Sequence, residues 1–486
     1  MAPIKFQPSQ IGGRSVSSVP HVSYTGNPFT LLFHDVFSAL YNAKHIPFIF
    51  LPLSPTHGGA LCELSWTRVN LWAVFLHVVL VLLQVPFLLS IPFLLAFPVW
   101  VVALGVAAFM VVNNFVCCFL DGSKKEFLSN TDYMIGRVAC PQERWVFMNG
   151  VAAGEHWLQS NIDQLSLTFG RSVIGLHNKT NGIVFDVLQI LIQRNFNYAT
   201  TDIRKHFAVM KSLLYDTGLS KVVFIMHSQG AVEGGMIVDW LLQEVPQDLL
   251  AKLEIYTFGA AANHFNNPHK HLRTLENALK GRRRGTSGRP EAGKAIHHIE
   301  HYTHTKEFVA RWGVLHFIND DGGLGDQSEV SRFMGRVFQR EARGHMFGMH
   351  YLDNMFPLEK TEDGKGGIGN SGFLGADEKN NLFMEEPIQL VGTTRLKKSA
   401  TEDLATSARS VEPHGGVTDE GSDDEGDVGV FDASPISTRN SFHDGLPNRV
   451  EMEYKVKDLS RLWLYRNGKS PEHDEVDARI SRIGTV

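Results

Sequence analysis

With 486 residues, 43% of them hydrophobic and 20% charged, the chain holds enough apolar material for one large or two ordinary domains, and its composition is neither fibrous nor disordered overall. A formal net charge of -5 gives no overall case for nucleic-acid binding. Four cysteines, at 62, 117, 118 and 140, form no Cys-x-x-Cys pair and keep no zinc-like spacing with histidine, which argues against a metal site and against a disulfide framework.

The N-terminal stretch MAPIKFQPSQIGGRS has no apolar region behind a basic start, so no cleaved signal peptide is expected. Residues 1–66 carry Pro and Ser clusters around the semi-apolar NPFTLLFHDVFSALYNAKHIPFIFLPL. There Phe33, Phe37, Leu40 and Tyr41 share a short amphipathic face suited to a membrane surface. From Val69 to Leu120 no Asp, Glu, Lys or Arg occurs. That run exceeds twice the about 20 residues needed to cross a bilayer. A buried core helix normally keeps a solvated face, so a membrane segment is expected over 67–122. Pro86, Pro92 and Pro98 cluster near its middle, where the chain must turn. Arg68 before it and Lys124 and Lys125 after it put both ends on the cytosolic side. Two full spans and a hairpin dipping into one leaflet satisfy these features equally. Cys117 and Cys118 stand at the cytosolic edge, either as palmitoylation sites or, more simply, as small apolar residues of a helix.

Beyond residue 140 the pattern alternates. Strand-like RWVFMNG (144–150) and SVIGLHN (172–178) are followed by helical IVFDVLQILIQRNF and TDIRKHFAVMKSLLY. In the latter, Ile203, Phe207, Met210 and Leu214 lie on one face, and Gly218 is placed to end it. Then come strand KVVFIMH, helix AVEGGMIVDWLLQEV, strands KLEIYTFG and AIHHIEHYTH, the stretch EFVARWGVLHF and strand RVFQRE. Strands alternating with helices predict an α/β domain over 140–357, with a mainly parallel sheet covered on both faces. Its basic insertion, with Arg282, Arg283 and Arg284, reads as a solvated loop or as a contact for anionic lipid headgroups. Residues 358–449 turn to Gly, Ser, Thr, Asp and Glu, too few apolar groups to offset chain ordering, and predict a disordered acidic tail. In 450–486, Val456, Leu459, Leu462, Trp463 and Leu464 suggest a short helix docking back on the body.

One motif carries chemistry. In KVVFIMHSQGAVEGG, Ser228 follows an apolar strand and precedes a helix opening on Gly230 and Ala231. A serine hydroxyl is a weak nucleophile that needs a histidine to take its proton, an acid to orient that histidine and donors for the oxyanion. A tight strand-to-helix turn thrusts Oγ out of the sheet and brings the next N–H to the helix start.

This segment resembles the α/β-hydrolase family, in its lipase-like, serine-esterase branch. The whole chain, apolar segment included, resembles a group of fungal membrane-associated α/β-hydrolase-like proteins. The family's elbow is Gly-x-Ser-x-Gly; here it reads Met226-His227-Ser228-Gln229-Gly230, so Met226 stands where the first glycine is expected. The resemblance implies an oxyanion loop in FMNGVAAGEHW, with N–H groups from about Val151 and from Gln229. YTFGAAANHF resembles the Thr-Phe-Gly segment of class-three lipases. THTKEFVARWG resembles the loop that carries the family's acid, which implies Glu307, with Asp320, Asp321 and Asp326 as rivals. A Gly-His after the last strand implies His345 as the base, with His350 as the alternative. The expectation is a membrane-anchored serine hydrolase cleaving a lipid ester through an acyl-enzyme, with no cofactor and no nucleic-acid partner. Its catalytic domain would face the cytosol at a membrane such as the endoplasmic reticulum or a lipid droplet. An inactive membrane adaptor or lipid-binding pseudo-hydrolase is the rival, motivated by Met226, and an acyltransferase or thioesterase would use the same triad.

Overall fold

The computed structural model describes residues 3–9, 25–54, 56–134, 139–283, 293–318, 332–358, 381–391 and 454–471, and these belong to one compact unit. In chain order the elements used below are β1 (Ile4–Gln7), α1 (Pro28–Asn42), α2 (Arg68–Leu94), α3 (Val99–Asp121), β2 (Phe127–Leu128), β3 (Glu143–Met148), α4 (Glu155–Phe169), β4 (Val173–Leu176), α5 (Ile183–Phe196) and α6 (Thr201–Tyr215). There follow β5 (Lys221–His227), α7 (Gly230–Glu244), α8 (Gln247–Leu250), β6 (Leu253–Phe258), α9 (Leu272–Arg283), β7 (His298–His304), α10 (Phe308–Trp312), β8 (Arg336–Arg340) and β9 (Ile388–Leu390).

Among the described residues, nine strands form one mixed, mostly parallel sheet in the order β2-β4-β3-β5-β6-β7-β8-β1-β9. From β4 to β8 every neighbour is parallel, while β2 and β1 pair antiparallel with β4 and β8. Helices cover both faces, which is why β5 is a near-continuous apolar run, while β6 and β7 also bury Glu254, Glu300 and His301. Along β5, Val222, Phe224 and Met226 join one core with α6 and α7. Val223 and Ile225 point the other way, into a second core with α4 and the C-terminal segment.

The domain is wider than residues 140–357. Ile4 and Phe6 are buried and β1 extends the sheet, so residues 3–9 belong to the body rather than to a separate surface segment. Within the span assigned to a disordered tail, residues 381–391 are ordered: Phe383 and Met384 insert into the second core, and β9 pairs with β1. The rest of the acidic stretch lies outside the described residues. At 454–471 the chain returns and buries Val456, Leu459, Leu462, Trp463 and Tyr465. Arg461 pairs there with Glu254 of β6 at 2.8 Å, and its N–H donates to Glu300 of β7 at 2.8 Å. Of the basic insertion, α9 ends at Arg283, and Arg284 lies outside the described residues.

α2 and α3 are each long and apolar enough to cross a membrane, with only 22% and 11% of their most apolar windows buried inside the protein. The chain reverses at residues 95–98, so Pro98 stands at the turn, while Pro86 and Pro92 lie inside α2. The two helices return antiparallel, with the rings of Phe87 and Phe109 stacked at 3.7 Å.

Candidate active site

Ser228 sits between β5 and α7 with φ 56°, a left-handed conformation rare for a residue with a Cβ. Such a backbone costs roughly 1–2 kcal/mol and persists only where its surroundings over-determine it. They do so here. The Ser228 N–H donates to Phe258 O at 3.1 Å, and its carbonyl accepts from the N–H groups of Ala231 and Ala261, each at 3.1 Å. Two glycines permit the close approach. A Cβ on Gly230 would fall 2.6 Å from the carbonyl oxygens of Met148 and Asn149, and one on Gly150 would fall 2.5 Å from Ser228 Cβ. The loop after β3 therefore lies directly against the serine.

That loop is tightly held. Asn149 Nδ2 donates to Ala153 O at 2.8 Å and to Asn178 O at 3.0 Å, and its Oδ1 accepts the Asn178 N–H at 2.8 Å. Ala152 takes φ 62°, and its N–H donates to Asp186 at 3.1 Å. Asp186 also accepts from Thr180 Oγ1 at 2.6 Å, and burial pushes its carboxyl up to about 6. Among the described residues, the N–H groups of Val151 and Gln229 donate to nothing. These are the two amides expected to face an oxyanion. The Gln229 side chain is taken up below the turn, where its Nε2 donates to Gln193 at 3.1 Å beside Glu233.

Glu307 and His345 come together from the loops after β7 and β8. Glu307 caps α10, its carboxylate oxygens accepting the N–H groups of Val309 and Ala310 at 2.6 Å each. Its Oε1 lies 3.3 Å from His345 Nδ1, and the Tyr351 hydroxyl bonds the same carboxylate. Neither ring nitrogen of His345 completes an aligned hydrogen bond among the described residues, so Nε2 is uncommitted. Gly259, at φ 52°, makes room for the imidazole: a Cβ there would fall 2.8 Å from His345 Nδ1 and Cε1.

His227 links the serine to this pair. Its Nε2 donates to the His345 carbonyl at 2.7 Å, with the two rings 4.6 Å apart. Burial holds the His227 imidazole well below its ordinary value, so it stays neutral and acts as a positioning group. His350, the alternative base, has both nitrogens occupied. Nδ1 accepts the Met346 N–H at 2.9 Å, Nε2 donates to Pro52 O at 2.6 Å, and burial lowers its pKa to about 4. Asp320, Asp321 and Asp326 lie outside the described residues.

A further acid, outside the motif, supports the His345 loop. Glu63 accepts the N–H groups of Gly348 at 2.8 Å and Met349 at 3.1 Å, fixing the π-helical turn Phe347–Leu352 that follows His345; burial pushes its carboxyl above the ordinary glutamate range, opposed by these N–H groups and, more weakly, by His345. It is the sole acid between Asp35 and Asp121, a signal available in the sequence. Around it residues 48–63 wrap the His345 loop. Gly344 and His345 donate their N–H groups to Phe48 O and Ile49 O at 2.9 and 3.0 Å, and Asp353 accepts from Gly58 N at 3.1 Å. Ser228 is 3% exposed.

Serine, acid and histidine thus stand at the carboxyl ends of parallel strands, where open α/β sheets gather their sites. Among the described residues no cluster of His, Cys, Asp and Glu could hold a metal ion. No protein-family model, curated protein or solved structure matches the chain.

Proposed function

We propose that the chain is a membrane-associated serine hydrolase of α/β-hydrolase architecture that cleaves a lipid ester. The observation that carries this reading is Ser228 itself. A residue with a Cβ is held at φ 56° on a strand-to-helix turn, with unbonded N–H groups flanking it at Val151 and Gln229. Strain of this kind is kept where a side chain must be presented. Support comes from the His345–Glu307 pair and from the chain order serine, acid, histidine, each after its own parallel strand.

In this mechanism Ser228 Oγ attacks the ester carbonyl carbon while His345 Nε2 takes the hydroxyl proton. Glu307 stabilises the imidazolium through Nδ1, and the amides of Val151 and Gln229 receive the oxyanion. His345 then returns the proton to the leaving alcohol, and water attacks the acyl-Ser228 ester by the same route. Catalytic hydrogen bonds tighten on substrate binding, which accommodates the unpaired Nε2 of the resting site. An acyltransferase or thioesterase would differ only in the acceptor or the leaving group.

The second reading, an inactive lipid-binding adaptor on the same fold, is favoured by one observation, the near-complete burial of Ser228. A fluorophosphonate probe separates the two. The hydrolase reading expects full-length protein in detergent or vesicles to label, and Ser228→Ala not to. Folded wild type that stays unlabelled in both, or Ser228→Ala that labels equally, overturns it.

A further inference from the structure

Three helices of this protein turn their polar side chains toward the body and large apolar ones outward. α1 turns Leu31, Asp35, Ser38 and Asn42 inward, and Asp35 pairs with the buried Arg194 at 2.9 Å and accepts from Asn195 at 2.8 Å. Its outward face is Phe29, Phe33, Phe37 and Leu40, each at least 60% exposed. In α2, Asn70, His77 and Gln84 recur every two turns and point at the body. Asn70 Oδ1 accepts from Trp157 Nε1 at 3.0 Å, His77 Nε2 donates to Ala152 O at 2.9 Å, and Gln84 Nε2 donates to Asn181 O at 2.5 Å. Trp72, Phe75, Leu82, Leu89 and Phe93 face out. α3 buries Asn113 and exposes Trp100, Leu104, Val111 and Phe115.

These faces are continuous. Between α1 and the α2–α3 hairpin lies α5, exposing Leu188, Ile192 and Phe196. Its Phe196 meets Phe29 of α1 edge-on at 5.5 Å, and its Phe185 meets Phe109 of α3 at 5.7 Å. Soluble monomers seldom expose an apolar patch larger than a few hundred Å², and a helix with polar residues inward and aromatics outward is matched to hydrocarbon outside.

We infer that α1, α5 and the hairpin form one lipid-facing surface seated in a single leaflet, so that the hairpin enters the bilayer without crossing it. The length of the helices decides against two spans. Contacts with the body run along α2 from Asn70 to Phe87, about 26 Å at 1.5 Å per residue. A crossing α2 would draw the polar body into the bilayer core beside it. Beyond the contacts of Phe87 and Phe109 with Phe185, no residue of 88–94 in α2 or of 99–108 in α3 is buried, and these ends reach roughly 10–15 Å, about half of the about 30 Å hydrocarbon thickness. The tip therefore reaches one leaflet deep, with α1 alongside at the interface. This inference rests on the membrane part of the proposed function and not on its chemistry.

The test uses the full chain with the accessible thiols removed (Cys118→Ser, Cys140→Ser) and Ala96→Cys at the hairpin turn, in membranes of the expressing cell. Single-leaflet insertion predicts that a membrane-impermeant maleimide modifies the thiol introduced at the turn from neither face and modifies it fully once detergent is added. Modification from either face without detergent overturns the inference, since a crossing hairpin exposes its turn on the far side and an uninserted one on the near side. A second arm measures flotation with phosphatidylcholine/phosphatidylserine vesicles for Phe33→Asp/Phe37→Asp, whose thermal midpoint is checked against wild type. Vesicle affinity should drop about tenfold or more. Unchanged flotation removes α1 from the surface and overturns the inference. Fluorophosphonate labelling of Ser228 in the same samples reports on the hydrolase chemistry separately, so either idea can fail alone.

Discussion

A Cβ placed on Gly234 would fall 2.1 Å from the sulfur of Met226. Met226 ends β5 on the face covered by α7, and Gly234 is the residue of that helix that leaves space for its side chain. A glycine one turn into the following helix thus makes room for the Met226 side chain, and the turn at Ser228 closes with its left-handed backbone intact. Gly234→Ala should overpack this contact and cost about 1–3 kcal/mol, and Met226→Ala should cost about 2–5 kcal/mol through the cavity it leaves. The double variant should be more stable than the sum of the two losses, because the alanine methyl fills part of the void. A double-mutant cycle by urea unfolding measures this, and additivity within about 0.5 kcal/mol would show that the two side chains do not exchange volume.

The contact between Gly150 and Ser228 bears on activity rather than on the core. Gly150→Ala forces the loop after β3 and the serine apart, since the new methyl would need to occupy space 2.5 Å from Ser228 Cβ. A displacement of about 1 Å at a reacting centre can cost on the order of 10²-fold in rate. Fluorophosphonate labelling of Gly150→Ala should slow by about that factor while far-UV circular dichroism is unchanged. Wild-type labelling would mean that the loop yields and that Val151 does not sit over the serine.

Much of this arrangement is legible in the sequence because it is local. β3, β4 and β5 are short, mainly apolar runs bounded by turn residues, and KVVFIMHSQG joins such a run to a helix opening on small residues, so β5, the turn and α7 are readable together. The uncharged run from Val69 to Leu120 is readable for the same reason. β1 is not, because Ile4–Gln7 becomes a strand only by pairing with β8, more than 300 residues away, and nothing in its own pattern records that partner. β9 and the docking of Arg461 on Glu254 are likewise pairings across the whole chain. His345 and His350 share one stretch, where the Gly344-His345 pair favours the first without excluding the second. What divides them is the carbonyl of Pro52 and the amide of Met346, which occupy both nitrogens of His350. Glu63 stands alone as an acid in its stretch, but that stretch adjoins the apolar segment and its partners Gly348 and Met349 lie after β8, so its place is not local information.

The assignment of Glu307 can be separated from its capping role. Glu307→Ala removes both the carboxylate beside His345 and the acceptors for the first N–H groups of α10, and should cost about 1 kcal/mol of stability for the lost cap. Glu307→Gln keeps one oxygen for capping but loses the charge that supports the imidazolium. Both should lower kcat on a short-chain p-nitrophenyl ester by about 10³–10⁴-fold, with the thermal midpoint falling more for alanine. If either variant retained wild-type kcat, the orientation of His345 would have to come from another group, and Glu63 is the acid that remains.

Stability should depend on pH through Glu233, whose carboxyl is buried in the first turn of α7 beside Gln193 and Gln229. Burial pushes it up to about 8, the Gln193 amide opposing this only in part. In the folded protein the group therefore holds its proton well above the 4.5 of an unperturbed glutamate. Below that value both states are protonated and the group is neutral toward stability. Between about pH 5 and about pH 8 the unfolded chain has released the proton and the folded chain has not, so stability falls as pH rises, by up to about 1.4 kcal/mol per pH unit. Asp353, raised to about 7, and Asp186, raised to about 6, act in the same direction over narrower windows. On the acid side the buried imidazoles of His301 and His350, each lowered to about 4, cost stability as pH falls below about 6.5. Glu233→Gln has no proton to release, so urea unfolding at several pH values should give a line that falls less steeply than wild type, diverging from it upward from about pH 5 and running parallel above about pH 8. Lines that stay parallel throughout that interval would show that Glu233 is ionised in the folded protein, and its pairing with Gln193 would then have to be that of a charged carboxylate.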